Sequence, residues 1–222
     1  MVEQHERSWT YQLKYAGQPA GVERLTLKPS GRGARILLEA QVDFPLPKTR
    51  QRWESDTDGA GFPRRYVERV EGGGTRVTEI EFSRDEGVVV VSQGKEDLAL
   101  PYIQDFHDPL SLIFAIPQLG LEAGAMRQLA MVGGRVYVER LPDQVLALSW
   151  GEEAVQVFRL RPGLSLVYYA PSGEPLKFTQ KVGEHVFEAE ISQVEMTENA
   201  SEPRPKNHAR KRRRRKRHAT ST

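Results

Sequence analysis

Apolar and polar side chains alternate along most of this chain. Trp9, Tyr11, Leu13 and Tyr15 fall on one face of an extended segment, and Ser8, Thr10, Gln12 and Lys14 on the other. A period of two predicts a strand with one buried face. The pattern recurs over 22–28, where Leu25 and Leu27 alternate with Arg24, Thr26 and Lys28. It recurs over 34–43 with Ile36, Leu38, Ala40 and Val42 on one face, and over 49–56 around Trp53. Segments 64–70, 75–83 and 88–91 continue it, and 126–132, 135–141, 145–150, 155–161, 164–169, 176–181 and 186–194 follow. Turn signals separate them: Gly17-Gln18-Pro19, Asp58-Gly59, Gly72-Gly73-Gly74, Gly133-Gly134, Pro142-Asp143 and Ser172-Gly173. Strands at a spacing near ten residues argue for an antiparallel barrel or half-barrel of about 12–13 strands, with a two-sheet sandwich as the alternative.

The pattern breaks once, at Asp108-Pro109-Leu110-Ser111-Leu112-Ile113-Phe114-Ala115-Ile116-Pro117. An Asp at the N-cap and a Pro at the first helical position predict a short helix near 108–117, ended by Pro117. Leu110, Ile113 and Phe114 are its expected inward face. After Val194 the apolar periodicity stops. The organisation read from the sequence is one antiparallel β domain over 7–196 and a disordered polybasic tail over 197–222.

Charge sharpens that division. The formal net charge is +2, from 32 Lys and Arg against 30 Asp and Glu. Residues 203–218 hold ten of the cations and no acid, so the remaining 22 cations and 30 acids leave the rest of the chain at −8. Arg210 to Arg217 are eight consecutive cations. A chain with no cysteine has no disulfide, thiolate metal site or cysteine nucleophile. The first residues carry two acids and no apolar stretch of signal-peptide type, and no window approaches 18 apolar residues. The expectation is a cytoplasmic protein as the chain is written, or a periplasmic or envelope protein if the true start lies upstream.

Four blocks resemble an uncharacterised bacterial family of β-rich domains of unknown function. They are Tyr11 to Leu27, Trp53-Glu54-Ser55-Asp56 with Gly61-Phe62-Pro63, Asp108 to Leu112, and Tyr168-Tyr169 with Gly173-Glu174-Pro175. The resemblance covers about residues 9–194 and leaves the tail unmatched. It implies a curved antiparallel sheet, half-open, with a helix near its mouth, distantly similar to bacterial lipoprotein-carrier and lipid-binding half-barrels. It implies no catalytic residue. Members of that family are usually exported, and this chain shows no signal.

Candidate chemistry is sparse. The polycationic tail, through Arg204, Lys206, Arg210, Lys211, Arg212, Arg213, Arg214, Arg215, Lys216 and Arg217, suits contact with a polyanion such as RNA or DNA. It has no interleaved Phe, Tyr or Trp, so it lacks a means of stacking on bases. Outward Glu79, Glu81, Glu188 and Glu190 are its candidate partners within the chain. Trp9, Tyr11, Trp53, Phe114, Trp150 and Tyr168 are candidates for lining an apolar pocket, and an apolar small molecule or lipid is the implied partner. Asp105, His107, Asp108 and Ser111 form the one His–Asp–Ser cluster, but no Gly-x-Ser-x-Gly turn surrounds Ser111 and no second histidine lies at metal-ligand spacing. The glycine triplet at 72–74 continues into a strand, so it reads as a hairpin and not a phosphate loop. No catalytic residue, metal ligand or cofactor is assigned. The expected function is that of a non-enzymatic binding protein: a β domain with a polyanion-binding tail, or alternatively a carrier of an apolar ligand in a concave sheet.

Overall fold

The computed structural model describes residues 5–45, 47–163, 165–182 and 185–197. The alternating segments of the first half become β1 (Glu6–Tyr15), β2 (Gln18–Ser30), β3 (Gly33–Val42), β4 (Thr49–Thr57), β5 (Pro63–Glu71), β6 (Thr75–Ser83), β7 (Val88–Gln93) and β8 (Glu96–Pro101). A two-residue strand, β9 (Phe106–His107), leads into helix α1 (Pro109–Ala115) and a 3-10 turn (Ile116–Leu119). The second half is β10 (Met126–Met131), β11 (Gly134–Leu148), β12 (Gly151–Arg161), β13 (Ser165–Tyr169), β14 (Pro175–Val182) and β15 (His185–Thr197).

All fifteen strands form one sheet in the order β8-β7-β6-β5-β4-β3-β2-β1-β15-β14-β13-β12-β11-β10-β9. Each pairing is antiparallel except the short parallel contact of β9 with β10. The sandwich alternative is therefore not what the chain adopts. Two hairpin meanders meet where β1 pairs with β15, and β8 and β9 remain as free edges. A flat sheet of this many strands would be about 65 Å wide at ~4.8 Å per strand. Yet its two edges are joined by the few residues from Pro101 to Phe106, which reach at most about 18 Å. The connection forces the sheet to curl until its edges approach, which gives an unclosed, barrel-like shape.

Side chains paired in register share a face. Trp9, Leu25, Leu38 and Trp53 form one rung on the buried face, and Tyr11, Glu23, Ala40 and Gln51 form the next. From the other half, Phe178 packs edge-on against Tyr11 with centroids 5.2 Å apart, and Tyr169 packs edge-on against Phe158 at 5.7 Å. Trp9, Tyr11, Leu25 and Tyr169 are fully buried in one continuous core. Burial of each such side chain stabilises the fold by about 1.5–3 kcal/mol or more.

The structure differs from the sequence expectation in three local places. The described residues hold fifteen strands where about 12–13 were expected, because the exposed edge β8 and the two-residue β9 carry no periodic signal. Pro142-Asp143 does not turn the chain. It forms a bulge in the single long β11, where the register shifts between Leu141 and Gln144. There the buried Arg140 donates to the Leu141 carbonyl and pairs with Asp143. The α-helix ends before Pro117 as expected, at Ala115, but the chain goes on through a 3-10 turn around Pro117 that ends at Gly120 in the left-handed region (φ +60°).

Candidate functional site

The helix is held at one end of the curled sheet by its own cap. Asp108 Oδ1 accepts from the backbone N–H of Leu110 (2.7 Å) and Ser111 (2.8 Å), while Ser111 Oγ accepts from the Asp108 N–H at 3.0 Å. This reciprocal capping box satisfies the first free donors of the helix. Asp108 Oδ2 is then free to accept from Ser55 Oγ of β4, at 2.6 Å, in a fully buried bond. Tyr169 Oη of β13 donates to the Ile113 carbonyl at 2.7 Å. One bond ties the helix to each half of the sheet. Burial raises the Asp108 pKa above the usual carboxylate range, and the hydrogen bonds from Ser55, Ser111 and Leu110 pull against that shift. Replacing Ser55 with Ala leaves a buried carboxylate oxygen without its donor, so it should cost about 2 kcal/mol in urea unfolding. The loss should shrink sharply in an Asp108→Asn background. Additive losses would show that the two residues do not act as a unit.

Between the helix and the sheet lies a cavity of about 840 Å³. Its apolar lining is Leu27 and Ile36 from the sheet, Phe114 and Leu119 from the helical segment, Phe62 from the 58–62 loop and Leu129 from β10. Phe114 packs at a tilt against the buried Trp9 with centroids 5.8 Å apart, so the cavity is backed by the main core. Two close approaches shape its edge. Gly33 lies so near Thr57 that an added Cβ would sit 1.9 Å from the Thr57 carbonyl oxygen. The 58–62 loop turns through Gly61 at φ +85° and is fixed by Asp58 Oδ1, which accepts from the N–H of Ala60 (2.9 Å) and Phe62 (3.0 Å). Phe62 in turn packs on His107 (5.1 Å) and lies under the Arg84 guanidinium (5.4 Å).

The His–Asp–Ser cluster lines this cavity, through Asp105, His107 and Ser111, but it is engaged in structure. The Ser111 hydroxyl donates to the Asp108 carbonyl at 3.2 Å while it accepts from the Asp108 amide, and its contact with His107 Nδ1 is long, at 3.4 Å. A hydroxyl held this way is a cap and not an activated nucleophile. Burial lowers the His107 pKa, which favours the neutral imidazole, and Asp105 opposes that shift. Asp105 is bound outside the cavity by Arg84 and by Tyr102 Oη (3.0 Å). Among the described residues no group of three His, Asp or Glu side chains is placed to hold a metal ion.

Of the six aromatic residues expected around a pocket, Phe114 lines the cavity and Trp9 supports it from behind. Tyr11 and Trp53 lie on the same sheet face, in the two rungs described above, Tyr11 fully buried and Trp53 partly, and neither lines the cavity. Two of the six need correction. Trp150 is 51% exposed at the β11–β12 turn, because β11 carries the chain past the bulge and out of the core. Tyr168 is buried in the main core beneath Lys177 Nζ at 5.9 Å, beside a bulge in the β13–β14 pairing, and does not line the cavity. The outward acids proposed as partners for the tail already have partners nearby. Glu79 pairs with Arg65 (2.6 Å), Glu188 with Lys177 (2.6 Å) and Glu190 with Lys14 (3.1 Å). The ten tail cations from Arg204 to Arg217 lie outside the described residues.

Three residues that matter for the site were missed in the sequence. Arg32 and Arg127 stand at the cavity rim, and Glu23 is buried beside Tyr11. The strand pattern held a signal only for Glu23, which shares the parity of Leu25 and Leu27. Arg32 lies in a turn and Arg127 on a short strand near the sheet edge, where alternation carries no information about a distant helix.

A model of the family described as "Protein of unknown function (DUF3108)" matches residues 10–163. No curated protein matches the chain. Among solved structures, a crystal structure of a β-barrel-like protein of the domain of unknown function DUF1849 from Brucella abortus is similar, with a TM-score of 0.61 at 13% identity. The alignment covers 88% of this chain and 99% of that one. At that identity the likeness shows the fold, and it agrees with the curled, unclosed sheet.

Proposed function

Since the chain belongs to the DUF3108 family of proteins of unknown function, we propose its role from the cavity: the domain is a carrier that holds an apolar ligand between α1 and the concave sheet. The observation that carries this reading is an 840 Å³ space with Leu27, Ile36, Phe62, Phe114, Leu119 and Leu129 around it, backed by the main core. Small-molecule sites commonly fall in this size range, with apolar walls and a few polar groups. The helix acts as the wall that sets the width of the space, which explains why it is fixed to both halves of the sheet.

A neutral apolar probe tests the reading. N-phenyl-1-naphthylamine should bind with one-to-one stoichiometry and a rise in fluorescence. Ala115 lines the cavity near the end of the helix, and Ala115→Trp fills part of the space, so the variant should bind the probe at least tenfold more weakly with an unchanged circular dichroism spectrum. Unaltered probe binding in a folded Ala115→Trp protein would remove the cavity as the site.

The eight consecutive cations at 210–217 favour a second, independent reading for the tail: non-specific contact with RNA, DNA or another polyanion. Under that reading the tail decides where the carrier resides, and the cavity decides what it carries.

A further inference from the structure

We infer that the occupant of the cavity is a single-chain amphiphile whose anionic head group is held at the rim by Arg32 and Arg127. The inference rests on the carrier reading above and adds the chemistry of the ligand. It starts from the charges at the rim. Three arginines and two acids line the cavity: Arg7, Arg32, Arg127, Asp58 and Asp105. Both acids are engaged elsewhere. Asp58 is bound to the backbone of its own loop, and Asp105 to Arg84 and Tyr102. Arg7 lies 3.6 Å from Glu174. Arg32 and Arg127 have no acid within 4 Å among the described residues and make no side-chain hydrogen bond there.

These two guanidinium groups reach the rim from different parts of the fold, one from the turn between β2 and β3 and the other from β10. Unpaired cations beside a low-dielectric wall create a positive potential focused on the opening. Guanidinium groups bind planar oxyanions through paired N–H donors. The apolar lining at Leu27, Ile36, Leu129 and Phe114 is more buried than the exposed Arg32 and Arg127. A charged rim above an apolar interior matches a molecule that is anionic at one end and hydrocarbon at the other. A neutral hydrocarbon would leave the arginines unused. A small inorganic anion would leave the cavity unfilled.

Calorimetric titration with laurate and with 1-dodecanol, at pH 8 and low salt and below the aggregation limit of each, separates head group from chain. The wild-type protein should bind laurate at least tenfold more tightly than dodecanol. In the Arg32→Gln/Arg127→Gln protein laurate should weaken at least tenfold while dodecanol changes less than twofold. Both arginines are exposed, so this variant keeps the core intact. From decanoate to laurate, affinity should rise about fourfold per methylene while the chain still fills the cavity. Equal binding of laurate and dodecanol by the wild-type protein overturns the head-group site and leaves the carrier reading standing. Binding of neither overturns both. An equal loss of both ligands in the variant also overturns the head-group site, since it would mean that the arginines shape the cavity and do not read the charge.

Discussion

Raising the pH from about 4.5 to 8 should destabilise this domain through the buried carboxyl of Glu23, with Asp108, whose pKa burial also raises, acting in the same direction. Glu23 is 4% exposed, lies in register between Tyr11 and Ala40 on the buried face, and has no hydrogen-bond or ion-pair partner among the described residues. Burial raises its pKa from 4.5 to about 7. The folded state therefore keeps a proton that the unfolded chain gives up between those values. Where the folded state binds more protons, stability falls as pH rises. The contribution is flat below about pH 4.5, declines between roughly 5 and 7, and is flat again above, with a total loss of about 3 kcal/mol. His107 acts in the opposite direction, because its burial as a neutral ring weakens the fold as pH falls below about 6.5. Urea unfolding of wild type and Glu23→Gln from pH 4.5 to 8 isolates the Glu23 contribution, since His107 and Asp108 are common to both proteins. The wild-type curve should drop relative to the variant by about 3 kcal/mol across this range. A constant difference would mean that the carboxyl is solvated or paired when the protein is in solution.

Glu23 also shows what kind of information the sequence carried. Its burial was legible, because strand parity places it with Leu25 and Leu27, but a charge at that position reads as an exception until its neighbours are known. The β meander was legible for the same reason: each strand declares its own buried face by local alternation. The helix and its cap were legible because Asp108, Leu110 and Ser111 are bonded within three residues. The bond from Ser55 to Asp108 spans 53 residues and joins two segments that each look complete alone. The cavity depends on such pairings, since its walls come from β2, β3, the 58–62 loop, the helix and β10. Pro142-Asp143 was misread because a bulge and a turn draw on the same residue types, and only the continued pairing of Gln144 with Val155 tells them apart. Trp150 followed from that error. Once β11 continues through the bulge, the residue lies at the far tip of a long hairpin and not beside the helix.

Affinity for nucleic acid should fall by about three to four orders of magnitude between 50 and 200 mM salt if six to eight of the ten tail cations engage phosphates, since each contact contributes about −0.9 to the log–log slope on duplex DNA. The body does not supply this effect by its net charge, because outside residues 203–218 the chain stands at −8. Three of the outward acids on the sheet are already paired with Arg65, Lys177 and Lys14, so binding the tail internally would mean displacing existing partners. Filter binding across a salt series, with the full chain and with a chain lacking 203–222, should show steep salt dependence only in the full chain. Affinity should vary little between duplexes of unrelated sequence, because the tail has no aromatic residue to stack and arginine contacts with phosphate carry no base information. Equal, weak binding by the two proteins would assign the tail no role in polyanion contact. A shallow slope in the full chain, near two, would assign it only a few of the phosphates its charge could reach.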